Sequence, residues 1–336
     1  MPKTLNFVII GCGRIASRHA EQIRHYGKLL AVCDPDKENA SRLATAQGCP
    51  SYPSLDELLE RGNTPDIMVI CSPNGLHASH CLTALERGCH VLCEKPFALN
   101  AADCDKVILA AEKQQLVLQI VQSYRYNPAV ILVREALLAG RLGAVRGFQL
   151  NCLWNRDDQY YRGSKWKGSR DLDGGILFTQ FSHFIDLLPW FFGDAKRIMG
   201  FTCNTQHHQS IQFEDMGAAL LEFKGGVSGS LFYTINSFLR NLEGSLTLLG
   251  DRGTVRIGGE YCNELVYQQI EGLPLKVPGT APVAPYPPSN HHLIYRDFMQ
   301  AVAAKEPDYR NARESLQTVA LTERIYRASG RKWKIY

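Results

Sequence analysis

The stretch that most constrains this chain is "LNFVIIGCGRIASRH", residues 5–19. A continuous apolar run ends in glycines, and a helical pattern begins at once. Gly11, Gly13 and Ala16 keep the G-x-G-x-x-G/A spacing. In that spacing the first glycine permits a tight turn and the second lets the backbone approach a pyrophosphate. The third small residue lets helix and strand pack closely. Gly13, Arg14 and Ile15 then lie where the N–H groups of a helix start meet phosphate. Alone the motif is weak, and its weight comes from position. "LLAVCD" follows as a second strand and ends in Asp34, at the separation expected of an acid that bonds the adenosine ribose. Asp34 would repel a 2′-phosphate, and "CDPDKE" offers no arginine to neutralise one, so the predicted cofactor is NAD.

The alternation continues to Tyr124. Strands "DIMVICS", "HVLCEK" and "LVLQIVQS" are separated by helical stretches, and several helices are predicted to end at Gly27, Gly48, Gly62 and Gly88. Runs that are apolar throughout imply strands covered on both faces, hence a parallel, doubly wound α/β sheet. Beyond residue 124 the pattern changes. A helix, "PAVILVREALLAG", precedes the strand "AVRGFQLNCLWN", and an aromatic, polar loop over 155–172 leads to a helix over 175–192. Then come "RIMGFTCN", "MGAALLEFKGG", "VSGSLFYTINS", "GSLTLLG", "GTVRIGG" and "NELVYQQI", with "GDRG" as a hairpin turn. Strands without intervening helices imply an antiparallel sheet. The expected organisation is a dinucleotide-binding domain over 1–124 and an α+β domain over 125–336. The second would hold an antiparallel sheet with one face packed on helices, and the family resemblance given below implies that this sheet is large, open and mostly antiparallel. The Pro-rich stretch 272–290 reads as a loop, and helices over 291–304 and 312–329 close the chain.

Composition narrows the function. A net charge of +4 on 336 residues, without a basic run interleaved with aromatics, argues against a nucleic-acid partner. The most apolar stretch, "GGILFTQFSHFIDLLPWFFG", is interrupted by His183, Asp186 and Pro189, so no membrane span is expected. Most of the 11 cysteines lie in apolar strands or helices, and no secretory leader precedes them. They read as free thiols of a cytoplasmic protein. His77 with Cys81 and His90 with Cys93 read as packed core, so no metal is predicted.

Ligands of such sheets lie beyond the carboxyl ends of the strands. Ser72, Pro73 and Asn74 in "CSPNGLH" would border the dinucleotide, and His77 either borders it or caps its helix. Glu94 and Lys95 in "CEKP" follow the next strand and are expected cofactor contacts, with Lys95 at the reactive end of the dinucleotide. Arg125 and Asn127 in "QSYRYNP" follow the last. In the helix over 175–192, Thr179, His183 and Asp186 share a face. His183 is either a core imidazole held by Asp186 or a group with a chemical task. The loop over 155–172 combines Tyr160, Tyr161 and Trp166 with Arg156, Arg162, Lys165 and Arg170. Aromatic faces suit a sugar and cations suit carboxylate or diphosphate, while a solvated loop with aromatic anchors is the plainer reading.

"GCGRIASRH", "CEKP", "SYRYNP" and "GGILFTQFSHFID", in this order and spacing, resemble the glucose–fructose oxidoreductase, inositol dehydrogenase and MocA (Gfo/Idh/MocA) family over essentially the whole chain. The resemblance implies a Rossmann domain and an open sheet that joins copies into dimers or tetramers. It also implies an often cis bond before Pro96. The segments 154–194 and 242–259 are similar to UDP-N-acetyl-2-amino-2-deoxy-glucuronate dehydrogenases of the WlbA/WbpB type. Those enzymes oxidise a sugar C-3 hydroxyl with NAD on the way to a bacterial surface polysaccharide (O-antigen) sugar. On that likeness Lys95 and His183 are the catalytic pair. Lys95, Asn127, Tyr160, Lys165, Thr179, Gln180 and His183 are the expected substrate contacts and Arg125 an expected cofactor contact, although Arg125 and Asn127 could each either hold substrate or orient the dinucleotide. One departure stands out: many members carry Asp four residues before the histidine, and this chain has Thr179. An ordinary imidazole titrates at ~6.5, whereas a lysine would have to fall about three units to serve as base. His183 is therefore the expected base, and Lys95 the donor to the reacting oxygen. Alternatives are an inositol-like polyol dehydrogenase, a sugar ketoreductase, or a non-catalytic NAD-binding protein.

Overall fold

The structure is a computed structural model that describes residues 4–61, 65–272, 274–276 and 290–330. Gly62 and most of the Pro-rich stretch, 277–289, lie outside the described residues. The chain divides into two compact units, Met1–Val121 with His291–Leu316 and Gln122–Asn290 with Gln317–Tyr336. The return of 291–316 to the first unit was not expected, because an apolar helical stripe does not say which core it joins.

The first unit runs β1 (Leu5–Ile10), α1 (Ala16–Tyr26), β2 (Gly27–Cys33), α2 (Lys37–Gln47), β3 (Ser51–Tyr52), α3 (Leu55–Glu60), β4 (Ile67–Ile70), α4 (His77–Glu86), β5 (His90–Cys93), α5 (Ala101–Gln114) and β6 (Leu118–Ile120). All six strands are parallel, in the order β3-β2-β1-β4-β5-β6. The order reverses between β1 and β4, so the loops after those two strands flank a switch point, where such sheets bind ligands. β4 is buried at every position, as its unbroken apolar run requires. Gly48 and Gly88 end their helices with positive φ as expected. Gly27 also ends its helix, its N–H bonding the Ile23 carbonyl, but its φ of 175° is extended, and it opens β2 with no room for a side chain against the Leu5 carbonyl.

The second unit holds α6 (Pro128–Leu138), β7 (Val145–Leu153), α7 (Asp158–Tyr161), α8 (Ile176–Thr179), α9 (Ser182–Phe192), β8 (Ala195–Cys203), β9 (Met216–Phe223), β10 (Ser228–Thr234), β11 (Glu243–Gly250), β12 (Gly253–Gly258) and β13 (Glu264–Ile270). Its seven-stranded sheet has the order β13-β12-β11-β7-β10-β9-β8. Every pairing is antiparallel except β7 with β10. One face, with Phe148, Leu150, Leu221, Leu231, Leu246 and Leu248, joins the core that includes Phe184 and Phe191 of α9. Alternation turns Met199, Leu220, Phe232, Leu249 and Tyr267 to the other face, where all are exposed. Two helices complete the chain, α10 (His291–Ala304), which packs on α1, and α11 (Arg310–Ser329). No described helix is long and apolar enough to cross a membrane.

The single helix expected over 175–192 is two. The Phe181 N–H bonds the Ile176 carbonyl five residues back, and the ladder then restarts at Phe184. Such a slip offsets the two segments. Gly175, at φ +118°, starts the first of them, and a Cβ there would sit 2.3 Å from the Tyr326 hydroxyl. That hydroxyl donates to Glu214 Oε1 at 2.5 Å and accepts the Leu177 N–H at 3.1 Å. Glu214 Oε1 also accepts the Ile176 N–H at 3.2 Å. Burial pushes the Glu214 carboxyl up to about 7 against these hydrogen bonds, and nearby Asp173 pushes the same way.

A raised carboxyl pKa stabilises the fold below the unfolded value near ~4.3, and that contribution is lost as pH rises through about 7. Glu214→Gln keeps the acceptor and removes the titration. The variant should therefore gain stability on wild type between pH 5 and 8, by about 3 kcal/mol at the upper end, and match it at pH 4. Urea unfolding at the three pH values checks this.

Candidate active site

In the first unit the glycine loop has the shape its spacing predicts. Gly11 has φ +94°, and a Cβ there would lie 2.4 Å from the Cys71 carbonyl oxygen. The Cβ direction of Gly13 meets nothing within 4 Å. Arg14 is exposed, and α1 starts at Ile15 with no side-chain cap. Open space beside an uncapped helix start fits a dinucleotide pyrophosphate. Asp34 accepts the Cys12 N–H on Oδ2 at 2.7 Å and the Asp36 N–H on Oδ1 at 2.8 Å. Each oxygen keeps acceptor capacity for a ribose hydroxyl. The residues present thus fit NAD. Arg42 was missed by a reading that looked only at the residues directly after Asp34. From α2 it reaches back to the Cys12 carbonyl at 3.3 Å.

The loop after β4 is held from behind. Ser72 Oγ meets His80 Nδ1 at 2.9 Å, and Pro73 and Asn74 lead into a short 3₁₀ turn. His77 is buried, with Nδ1 2.7 Å from the Pro96 carbonyl and Nε2 2.8 Å from the Ser72 carbonyl. Burial lowers its pKa despite both carbonyls. The ring ties two loops together, and neither nitrogen is left for a dinucleotide.

Glu94 is likewise interior. Its Oε1 lies 3.0 Å from His19 Nε2 and 3.3 Å from His291 Nε2, and its Oε2 accepts the Lys95 N–H at 3.2 Å. His19 Nδ1 faces the Tyr295 hydroxyl at 3.0 Å. Burial alone would raise the Glu94 carboxyl, but hydrogen bonds from the two imidazoles outweigh it and hold the group well below the usual carboxylate range. Burial lowers the His19 pKa. The consistent state is an ionised Glu94 facing a neutral His19, which is protonated on Nε2 and accepts from Tyr295 on Nδ1. Among the described residues this trio brings ligand-type atoms within 4.8 Å of one another, and their mutual hydrogen bonds already use those atoms. The reading of Glu94 as a cofactor contact is thereby corrected to a buried anchor. Lys95 follows it, half-buried, and its bond to Pro96 is cis.

In the second unit Asp186 does not hold His183. Its carboxylate takes Arg125 Nε at 2.7 Å and Nη2 at 2.8 Å, and the Thr318 hydroxyl at 2.7 Å. Arg125, expected to meet the dinucleotide, is a buried ion-pair partner whose guanidinium also lies 5.2 Å from the Trp190 ring. Asn127, expected to meet substrate, spends its amide on the carbonyls of Tyr261 and Cys262 and on Asn290. His183 instead stacks on Tyr124, with ring centroids 4.6 Å apart and planes 13° apart, and its Nε2 lies 3.4 Å from Ser123 Oγ. Gln180 reaches the Tyr160 hydroxyl at 3.5 Å, and Lys165 is exposed. The Thr179 hydroxyl bonds Asp173, both at its carbonyl and at its carboxylate. So a carboxylate does stand next to position 179, supplied by a residue six positions earlier. Asp173 is fully buried and also accepts the Gly168 N–H at 2.7 Å. Nothing in a linear pattern marks it, because the loop must close before the two side chains meet.

Comparison with known proteins agrees with this layout. The family "Oxidoreductase family, NAD-binding Rossmann fold" matches residues 5–122, and "GFO/IDH/MocA C-terminal domain" matches residues 130–256. A dTDP-3,4-didehydro-2,6-dideoxy-alpha-D-glucose 3-reductase of Streptomyces violaceoruber is 32% identical over 260 residues, 73% of each chain. A UDP-N-acetylglucosamine 3-dehydrogenase of Acidithiobacillus ferrooxidans is 33% identical over 128 residues, 38% of this chain and 40% of its own. The crystal structure of the WlbA dehydrogenase from Bordetella pertussis, in complex with NADH and UDP-GlcNAcA, superposes with a TM-score of 0.87 at 31% identity. The match covers 97% of both chains.

Asp34→Ser removes the carboxylate expected to meet the ribose while Arg42 stays. It should raise the KM for NAD by about tenfold to a hundredfold, the scale of losing charge-assisted hydrogen bonds, and shift the NAD-to-NADP preference towards NADP. Initial rates with the two cofactors check it.

Proposed function

Since the chain belongs to the Gfo/Idh/MocA oxidoreductase family, we propose that it oxidises a secondary hydroxyl, at C-3, of a nucleotide-linked sugar, with UDP-N-acetylglucosaminuronate as substrate. The observation that carries this reading is the full-length likeness to a dehydrogenase crystallised with NADH and UDP-GlcNAcA. The two relatives whose names specify position 3 of a nucleotide sugar support C-3. The supply of surface-polysaccharide sugars is the matching physiological role.

NAD, when bound, supplies the hydride acceptor. The work of the chain is to hold the alcohol and take its proton. His183 is the base in this reading, with the imidazole plane fixed by its stack on Tyr124. Lys95 donates a hydrogen bond to the oxygen as negative charge develops there. Its backbone is pinned by the Glu94 carboxylate. Thr179 takes no proton itself. It sits beside the Asp173 carboxylate, which offers the neighbourhood a negative charge without standing at position 179. Reduction of a 3-keto nucleotide sugar is the second reading, favoured by the name of the Streptomyces relative.

Lys95→Met and His183→Asn should each lower turnover of UDP-N-acetylglucosaminuronate by at least about 10²-fold, the usual scale of a positioned acid or base, while NADH still binds. Rates near wild type in both would remove the catalytic assignment. A panel of UDP-uronates, UDP-hexoses and free polyols, read as NADH absorbance, tests the substrate class, and a 3-keto sugar with NADH tests the reverse direction. The exposed apolar face of the large sheet supports association of copies through it. Met199→Arg with Leu220→Glu should then lower the mass measured by sedimentation; an unchanged mass would place the contact elsewhere.

A further inference from the structure

Arg156 lies just beyond β7 and takes no part in the chemistry above. Its guanidinium is held between two rings, 4.8 Å from the Trp154 centroid and 5.1 Å from the Tyr160 centroid. Nη1 donates to the Asn155 carbonyl at 2.5 Å and to Asn241 Oδ1 at 3.1 Å. The other edge is unused: Nε–H is buried with no acceptor, and Nη2 makes no hydrogen bond among the described residues. No carboxylate of the described residues pairs with Arg156. The acids near it are committed elsewhere. Asp157 caps Tyr160, Asp158 takes His207 and Ser210, and Asp173 takes Gly168 and Thr179. A partly desolvated cation with an unmatched donor edge is costly unless something fills it.

The edge left open is the one that grips a carboxylate through two parallel hydrogen bonds. Its surroundings place it near the sugar-handling residues of the same unit. Tyr160, under the guanidinium, bonds Gln180, whose Oε1 is itself buried without a partner. Trp154 packs on Phe184 at 5.4 Å, Phe184 meets Tyr124 edge-on at 5.1 Å, and Tyr124 carries His183. Arg156 and His183 thus hang on one aromatic cluster.

We propose that Arg156 binds the carboxylate of a uronic-acid substrate through its Nε–Nη2 edge and so sets the preference of the enzyme for acidic over neutral nucleotide sugars. This rests on the reading of the protein as a nucleotide-sugar dehydrogenase and names the residue that selects the substrate class. A single planar edge between two rings matches a flat carboxylate better than a tetrahedral diphosphate.

The test is binding of UDP-glucuronate and UDP-glucose to the NADH-loaded enzyme by calorimetry. The pair differs only at the carboxylate. Wild type should bind the acid at least about tenfold more tightly, the lower end for a charge-assisted hydrogen bond. Arg156→Met, which keeps the stem between the rings, should bring the ratio close to one by weakening only the acid. Arg156→Lys should retain a charge but lose the fork, and so lower the ratio severalfold. A wild-type ratio near one overturns the proposal, as does a ratio that survives in Arg156→Met. Equal weakening of both ligands also overturns it, assigning the guanidinium to the diphosphate. If Arg156→Met does not fold, an unchanged ratio in Arg156→Lys overturns it. A wild type that discriminates by binding through Arg156 yet forms no NADH from any sugar leaves this assignment standing and removes the catalytic reading instead.

Discussion

A carboxylate taken out of water survives only with partners, and Glu94 has two imidazoles. Much of the first unit depends on that arrangement. His19 comes from α1, the helix that opens at the glycine loop, and His291 comes from α10, far along the chain. Glu94 itself follows β5 and holds the backbone of Lys95. One ionised group therefore fixes the helix under the dinucleotide loop, the strand end that presents the lysine, and the helix that returns to cover both. Removing one partner of such a group is expensive because the charge stays behind. The charged residue next to a buried strand end, odd as a linear pattern, is explained by side chains 75 and 197 residues away.

Those separations also explain what the sequence could and could not reveal. The doubly wound order, the antiparallel strands and the glycine loop follow from short-range periodicity and spacing, and every strand of the large sheet was anticipated. Gly11 and Asp34 were readable because their geometry is local to one strand–loop–helix unit. Pairings across the chain were not readable. Asp186 looked like a partner for His183 by helical spacing, which one continuous helix keeps, yet the carboxylate turns to Arg125 and Thr318. Arg125 and Asn127 looked like ligand-binding groups because polar residues after a strand end usually are. Their partners, Asp186 and the carbonyls of Tyr261 and Cys262, lie 61 to 135 residues on. A one-dimensional pattern names polar residues but not which of them neutralise one another.

In the second unit aromatic stacking helps to place the catalytic candidate His183. The Tyr124 ring sets the plane of His183, Phe184 and Trp154 back it, and the ion pair of Asp186 braces the helix from the other side. Two charged groups stand in the same unit: Asp173 beside Thr179, and Arg156 against Trp154 and Tyr160.

Because residues 291–316 belong to the first unit, the cofactor half of the protein is not a contiguous piece of its gene. On the ribosome, the six parallel strands emerge early, but His291 and Tyr295 arrive only after the whole of the second sheet has been made. Until then Glu94 has one imidazole instead of two, and the flank of α1 that α10 will cover faces water. Vectorial synthesis thus makes α10 a closing step for the unit that was begun first.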